Sequence, residues 1–134
     1  MAIEVTWYDE AQTVMLWTYT GQWTWHDYEN ARTQSRSLVG QSKNPIYVIA
    51  DFRASRLLPN NALSNFRNSY DSADYEFILA VIVAKSLWFE SMIGALRRLY
   101  PQLGKKVQLA HSLDDAITLI HRHQAEQKTA ASQT

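Results

Sequence analysis

The sequence contains no cysteine. That absence excludes disulfides, thiolate metal sites and cysteine nucleophiles together. Glycine and proline are sparse, at four and three residues. With so few glycines there is no phosphate cradle: neither G-x-G-x-x-G nor a Walker loop occurs, and the G-x-S-x-G of serine hydrolases is missing too. Neither sign of charge is in excess. Thirteen Lys plus Arg balance thirteen Asp plus Glu, so no net field draws in a nucleic-acid backbone or an anionic membrane. The longest apolar-rich run, residues 77–84, falls far short of the ~20 residues that cross a bilayer. Met1-Ala2-Ile3-Glu4-Val5 carries no basic region followed by an apolar stretch, so no signal peptide is expected and the cytoplasm is the default location.

Aromatic residues, by contrast, are plentiful. Trp7, Tyr8, Trp17, Tyr19, Trp23, Trp25 and Tyr28 all fall in the first third of the chain. Strands favour such residues and large aromatics tend to be buried, so core and strand-face positions are the simplest account. The competing account is a cleft for a small apolar ligand or lipid, lined by Trp23, Trp25, Trp88 and Phe89. A length of 134 residues suits one domain, since two cores would each be too small. The domain is expected over residues 1–124. Residues 125–134, rich in Ala, Gln, Ser and Thr, are expected to fray.

Periodicity and capping give the order of elements. Ile3, Val5 and Trp7 alternate with Glu4, Thr6 and Tyr8, and residues 14–20 form a second alternating run after a polar turn, which makes an antiparallel hairpin. Thr24 with Asp27 is a capping-box pair for a helix with Trp25, Tyr28, Ala31, Ser35, Leu38 and Val39 on one stripe, closed at Gly40. Residues 46–50, ending in Asp51, and residues 77–84 read as strands buried on both faces, and residues 52–59 as irregular. Asn60 or Asn61 caps a short helix carrying Ala62, Leu63, Phe66 and Tyr70. Ser86 caps a further helix whose apolar face is Trp88, Met92, Ala95, Leu96 and Leu99, stopped by Pro101 and Gly104. A strand at residues 107–110 precedes a last helix opened by Ser112 and Asp115. The order β-β-α-β-α-β-α-β-α predicts an α/β fold. Its sheet is five-stranded and mostly parallel, with an antiparallel N-terminal hairpin and helices on both faces.

That order, with Trp23-Thr24-Trp25 opening the first helix, residues 51–63 linking the third strand to the second helix, and Leu99-Tyr100-Pro101 ending the third, resembles the STAS fold family of bacterial anti-sigma-factor antagonists. The likeness is to its uncharacterised SpoIIAA-like branch and covers residues 3–122. It implies a regulatory or protein-interaction module, not an enzyme, with no cofactor and no metal. In switch members a strand-end Asp leads to an Asp-Ser-Ser-Gly segment, where a partner kinase, itself the anti-sigma factor, phosphorylates a Ser. Asp51 stands at the matching strand-end position, but the four-residue segment reads Pro59-Asn60-Asn61-Ala62. Asn61 has no hydroxyl, so the charge of about −1.5 to −2 that a phosphate adds is not available there. The resemblance then implies docking of a regulatory protein, or of a second copy in a homodimer, through residues 52–66 at the carboxyl ends of the strands. Asp51, Arg53, Asn60 and Asn61 would carry it, with Trp23 and Trp25 lining the alternative ligand cleft.

Other candidate chemistry has plainer accounts. His121 and His123 are two residues apart and point about 200° away from each other on a helix, so they do not share a metal. Zinc also needs three or four converging ligands. Asp51 with Arg53 is the one place for a catalytic carboxylate, though a neighbouring ion pair explains both. Asn60 and Asn61 are simple cap residues in the same sense. Arg97, Arg98, Lys105 and Lys106 form the only basic cluster, near a helix C-terminus where positive charge complements the dipole.

Overall fold

A computed structural model describes residues 2–56, 59–61, 64, 65, 68 and 77–132. Its strands are β1 (Ile3–Trp7), β2 (Val14–Gly21), β3 (Tyr47–Ser55), β4 (Leu79–Val83) and β5 (Val107–Ala110). They form one sheet in that order. β1 runs antiparallel to β2, with Val5 opposite Trp17, and every later pairing is parallel. The helices are α1 (Trp25–Val39), α2 (Leu87–Leu99), the single turn α3 (Pro101–Gly104) and α4 (Leu113–Ser132). The α/β class and mixed sheet expected from the sequence are both present. The helix expected over residues 60–70 lies largely outside the described residues, although Ser64, Asn65 and Asn68 are helical.

Only antiparallel strands can be joined by a tight turn, and the β1–β2 hairpin has a side-chain latch for its turn. The Asp9 carboxylate accepts from the Thr13 and Val14 amides at 2.9 and 3.0 Å and from the Thr13 hydroxyl. Burial would raise this carboxyl, but the bonds from Thr13 and Val14 outweigh it and hold it below the usual carboxylate range. α1 begins where expected. Thr24 Oγ1 accepts from the Asp27 amide and Asp27 returns the bond to the Thr24 amide, so both halves of the capping box form.

Strand alternation sorts the core into two layers. Ile3, Val5, Met15, Trp17, Tyr19, Val48, Ala50, Phe52 and Ala80 face Ala31 of α1 and Phe89 of α2. On the opposite face Val14, Tyr47, Ile49, Leu79, Val81 and Val83 meet Ala116 and Ile120 of α4. Ile93, Leu96, Leu103 and Val107 join α2, α3 and β5 in a smaller cluster.

The structure corrects three sequence-based expectations. β3 does not stop at Asp51 but runs on to Ser55. Phe52 finds a stacked partner in Tyr19, with centroids 4.1 Å apart, and Gly21 pairs with Ser55. α2 buries Phe89, Ile93 and Leu96 instead of the Trp88–Leu99 stripe. Ser86 accepts from the Trp88 and Phe89 amides and so fixes where the first turn begins, which sets Phe89 against Phe52 at 5.2 Å. The last helix continues to Ser132, through the stretch expected to fray. Ala, Glu, Gln and Lys, which fill much of it, are strong helix formers.

Candidate functional site

The carboxyl end of the sheet is where the sequence-derived candidates gather, and β3 divides them between its two sides. Trp23, just before α1, is 2% exposed. Its ring packs 5.0 Å from Tyr19 and perpendicular to Trp25 at 5.2 Å, and its Nε1 donates to Ser55 Oγ at 3.0 Å. Trp25 is half-buried between Trp23 and Tyr28 and donates its Nε1 to the Asn60 carbonyl at 3.0 Å. Two indole N–H groups thus tie the segment after β3 to the start of α1. Buried indole donors normally find a partner, and these two find theirs on the rim.

Asn60 and Asn61 are exposed on that tethered segment. Asn61 sits at φ 61°, in the left-handed region that Asn enters more readily than most other non-Gly residues. Its carbonyl accepts from both the backbone and the side-chain amide of Asn65, each at 3.0 Å. An N-cap ordinarily has extended backbone, so the cap role expected of Asn61 is filled by its carbonyl from a left-handed turn.

Asp51 and Arg53 lie on the other face of β3. Asp51 pairs with Thr18 on one side and Val83 on the other, and it is the last residue of β3 to pair with β4. Beyond it, β3 advances three residues, from Asp51 to Ala54, while β2 advances two, from Thr18 to Thr20. Such a bulge re-aims side chains, and here Arg53 folds back on Asp51. Oδ1 accepts from the Arg53 amide at 3.1 Å and from Nε at 2.9 Å, and Oδ2 accepts from Nη2 at 2.9 Å. Burial pushes the Asp51 carboxyl up, but the hydrogen bonds and charge of Arg53 prevail and hold it below the usual carboxylate range. A carboxylate so held, with both oxygens occupied, is a weak proton acceptor near neutral pH.

The structure therefore brings Trp23, Trp25, Asn60 and Asn61 together and sets the Asp51–Arg53 pair apart from them. Of the four aromatics proposed for a cleft, Trp23 and Phe89 fill core, Trp25 is half-buried and Trp88 is on the surface. Sequence reasoning missed Ser55 and the Asn60 carbonyl as indole acceptors. It also missed Tyr47 and His123, whose OH and Nδ1 lie 2.8 Å apart, and Glu90 beside His111 at 2.8 Å. The basic cluster disperses: the Arg97 guanidinium donates to the Val107 carbonyl, and Lys106 Nζ lies 5.4 Å over the Phe77 ring. Among the described residues no three His, Asp or Glu converge as a metal site, and no helix is long and apolar enough to cross a membrane.

No family model and no curated protein matches the sequence. Among solved structures, the chain is similar to the crystal structure of an uncharacterized protein of the DUF3478 family, with a SpoIIAA-like fold, from Shewanella loihica PV-4. The two are 18% identical, the match covers 88% of this chain and 91% of that one, and the TM-score is 0.62. That likeness bears on the fold.

Proposed function

We propose, on the premise of a SpoIIAA-like fold, that this chain is a non-catalytic regulatory module that docks a partner protein on the rim at residues 52–66. The observation that carries the reading is the Trp25–Asn60 hydrogen bond. It holds the rim by its main chain and leaves the Asn60 and Asn61 side chains exposed. Amides presented on a tethered backbone lose less freedom on binding than amides on a free loop, which favours recognition. Asn61 offers no hydroxyl for phosphorylation, so docking here is constitutive and not gated by a kinase at that position. In the same reading the protein works in the cytoplasm, without a cofactor. The burial of Trp23 and Phe89 weighs against the apolar-ligand alternative.

Substituting Arg53, Asn60 and Asn61 together by alanine tests the reading in a pull-down. Because Trp25 bonds the Asn60 carbonyl, the tether survives the change, and circular dichroism should match the parent. The specific partner should be lost from the eluate. Unchanged recovery overturns the rim as a docking surface.

A further inference from the structure

α2 carries two apolar stripes, and the sheet uses only one of them. Phe89, Ile93 and Leu96 are buried. Trp88, Met92, Ala95 and Leu99 recur at spacings of four, three and four residues, the rhythm of a coiled-coil seam. The two ends of this second stripe are open to solvent, Trp88 at 55% and Leu99 at 62% exposed, while Met92 and Ala95 are half-buried. We infer that this stripe is the seam of an antiparallel α2–α2 pairing between two copies of the chain.

The stripe is its own complement when reversed. Turning the helix end for end about the point between Ile93 and Gly94 exchanges Trp88 with Leu99 and Met92 with Ala95. Two antiparallel copies therefore set each Trp88 against the Leu99 of the second copy, and each Met92 against its Ala95. Large side chains meet small ones, as an interdigitating layer requires. A two-fold axis through this point is the isologous arrangement most dimers use.

Charge chooses the same direction. The last turn of α2 carries Arg97 and Arg98, and the first turn carries Glu90. A parallel pair would bring the four arginines together at one end and align the two helix dipoles. The antiparallel pair separates the arginines to opposite ends and brings each pair toward the end that holds Glu90 and the exposed Trp88 ring of the other copy. Arg over an indole face is itself attractive.

Area sets the strength. At ~1.5 Å rise per residue, a helix of this length spans about 20 Å. Its seam buries less than the ~800 Å² per partner of a standard stable interface. The self-association is thus weak and concentration-dependent. It uses no residue of the proposed rim, so its test is independent of the docking reading.

Sedimentation velocity of the full chain, from micromolar to millimolar concentration, is the experiment. The wild type should shift from monomer toward dimer across that range. Leu99→Glu should stay monomeric throughout with unchanged circular dichroism, since its side chain faces solvent, and Tyr8→Ser, exposed elsewhere, should dimerise as the wild type does. Because the chain has no cysteine, single-cysteine variants report direction. Mixing Trp88→Cys with Leu99→Cys and oxidising should give mainly the mixed disulfide. A wild type monomeric at every concentration overturns the inference, as does a dimer that survives Leu99→Glu or a predominance of 88–88 and 99–99 links. Co-sedimentation of monomeric protein with phosphatidylcholine vesicles, lost in Leu99→Glu, would assign the stripe to a lipid surface instead and equally overturn it.

Discussion

The two faces of the sheet are packed with different chemistry. On the α1 side, Trp17, Tyr19, Trp23, Trp25, Tyr28, Phe52 and Phe89 form a connected set of rings, most of them 4–6 Å apart, between centroids such as Tyr19–Phe52 at 4.1 Å and Trp17–Tyr28 at 5.6 Å. On the α4 side the layer is aliphatic, with Val14, Ile49, Val81, Val83 and Ile120 nearly or wholly buried, and one polar clasp between Tyr47 and His123. Both layers exclude water. The aromatic layer also carries directional donors, and two of them, on Trp23 and Trp25, reach the rim. Apolar burial is non-directional, so the aliphatic layer stabilises the sheet without positioning anything on it. Position at the rim comes from the aromatic side. That layer has a cost as well: the Nε1 atoms of Trp7 and Trp17 are buried with no acceptor among the described residues, at about 1–3 kcal/mol for each unpaired donor unless water enters.

The sharpest way to break this contrast is Trp23→Ala. Removing a buried tryptophan typically costs about 3–5 kcal/mol, a large share of the ~5–15 kcal/mol that holds a domain together. Urea unfolding should show that loss. Ile120→Ala, in the other layer, should cost about 2–5 kcal/mol by the same rule. The two separate in hydrogen exchange measured at matched global stability. Amides of residues 55–61 should exchange faster in Trp23→Ala and not in Ile120→Ala. Equal exchange in both would mean the aromatic layer positions nothing.

Next in size is Asp51→Asn. Breaking a fully buried ion pair costs about 3–5 kcal/mol. The Arg53 side chain is 34% exposed, so water can rehydrate it and the expected loss is smaller, about 1–2 kcal/mol. Its pH signature has a fixed sign. The folded carboxyl titrates below its unfolded value of ~3.9, so between the two values the unfolded chain binds more protons. The contribution of the pair is complete above that unfolded value and disappears as pH falls through the folded one. Unfolding midpoints of wild type and variant should therefore converge in acid. Parallel curves down to strong acid would show that the pair contributes nothing.

Trp25→Phe keeps an aromatic ring and removes the bond to Asn60. A net loss of about 0.5–1.5 kcal/mol is expected, seen as a lower melting temperature. The partner recovered through the rim should also bind less tightly, because the loop is no longer held. A loss of stability with unchanged partner affinity would separate the tether from the docking surface.

How much of this was legible in the sequence depends on whether the signal was local. The Thr24–Asp27 capping box and the alternation of β1 and β2 lie within a few residues, and both are present as read. The α2 face was not legible. Phe89–Ile93–Leu96 and Trp88–Met92–Ala95–Leu99 both satisfy helical spacing, and only the position of Phe52, some 37 residues away, chooses between them. The end of β3 was hidden for the same reason, since Phe52 extends the strand by stacking on Tyr19. Asp51 and Arg53 were readable as neighbours, but the bulge that folds one onto the other depends on register with β2. The rim tether left no trace in the sequence, because the acceptor for Trp25 is a backbone carbonyl and every residue has one.

The smallest effect is expected in the aliphatic layer, from Tyr47→Phe. The change deletes the hydroxyl that meets His123 Nδ1 and leaves the ring, which packs edge-on to the imidazole at 5.5 Å. Losing one neutral hydrogen bond while keeping the buried surface should cost about 1 kcal/mol or less. Burial raises the Tyr47 phenol above its ordinary value. Its neutral form is therefore favoured in the folded chain, and that stabilisation holds below about pH 10 and is lost as pH rises toward the folded value. Urea midpoints measured from about pH 8 to 11 should fall for the wild type and fall less for Tyr47→Phe. A loss well beyond 1 kcal/mol at neutral pH would mean that the clasp positions α4 as firmly as the indoles hold the rim. The two faces would then differ in composition alone.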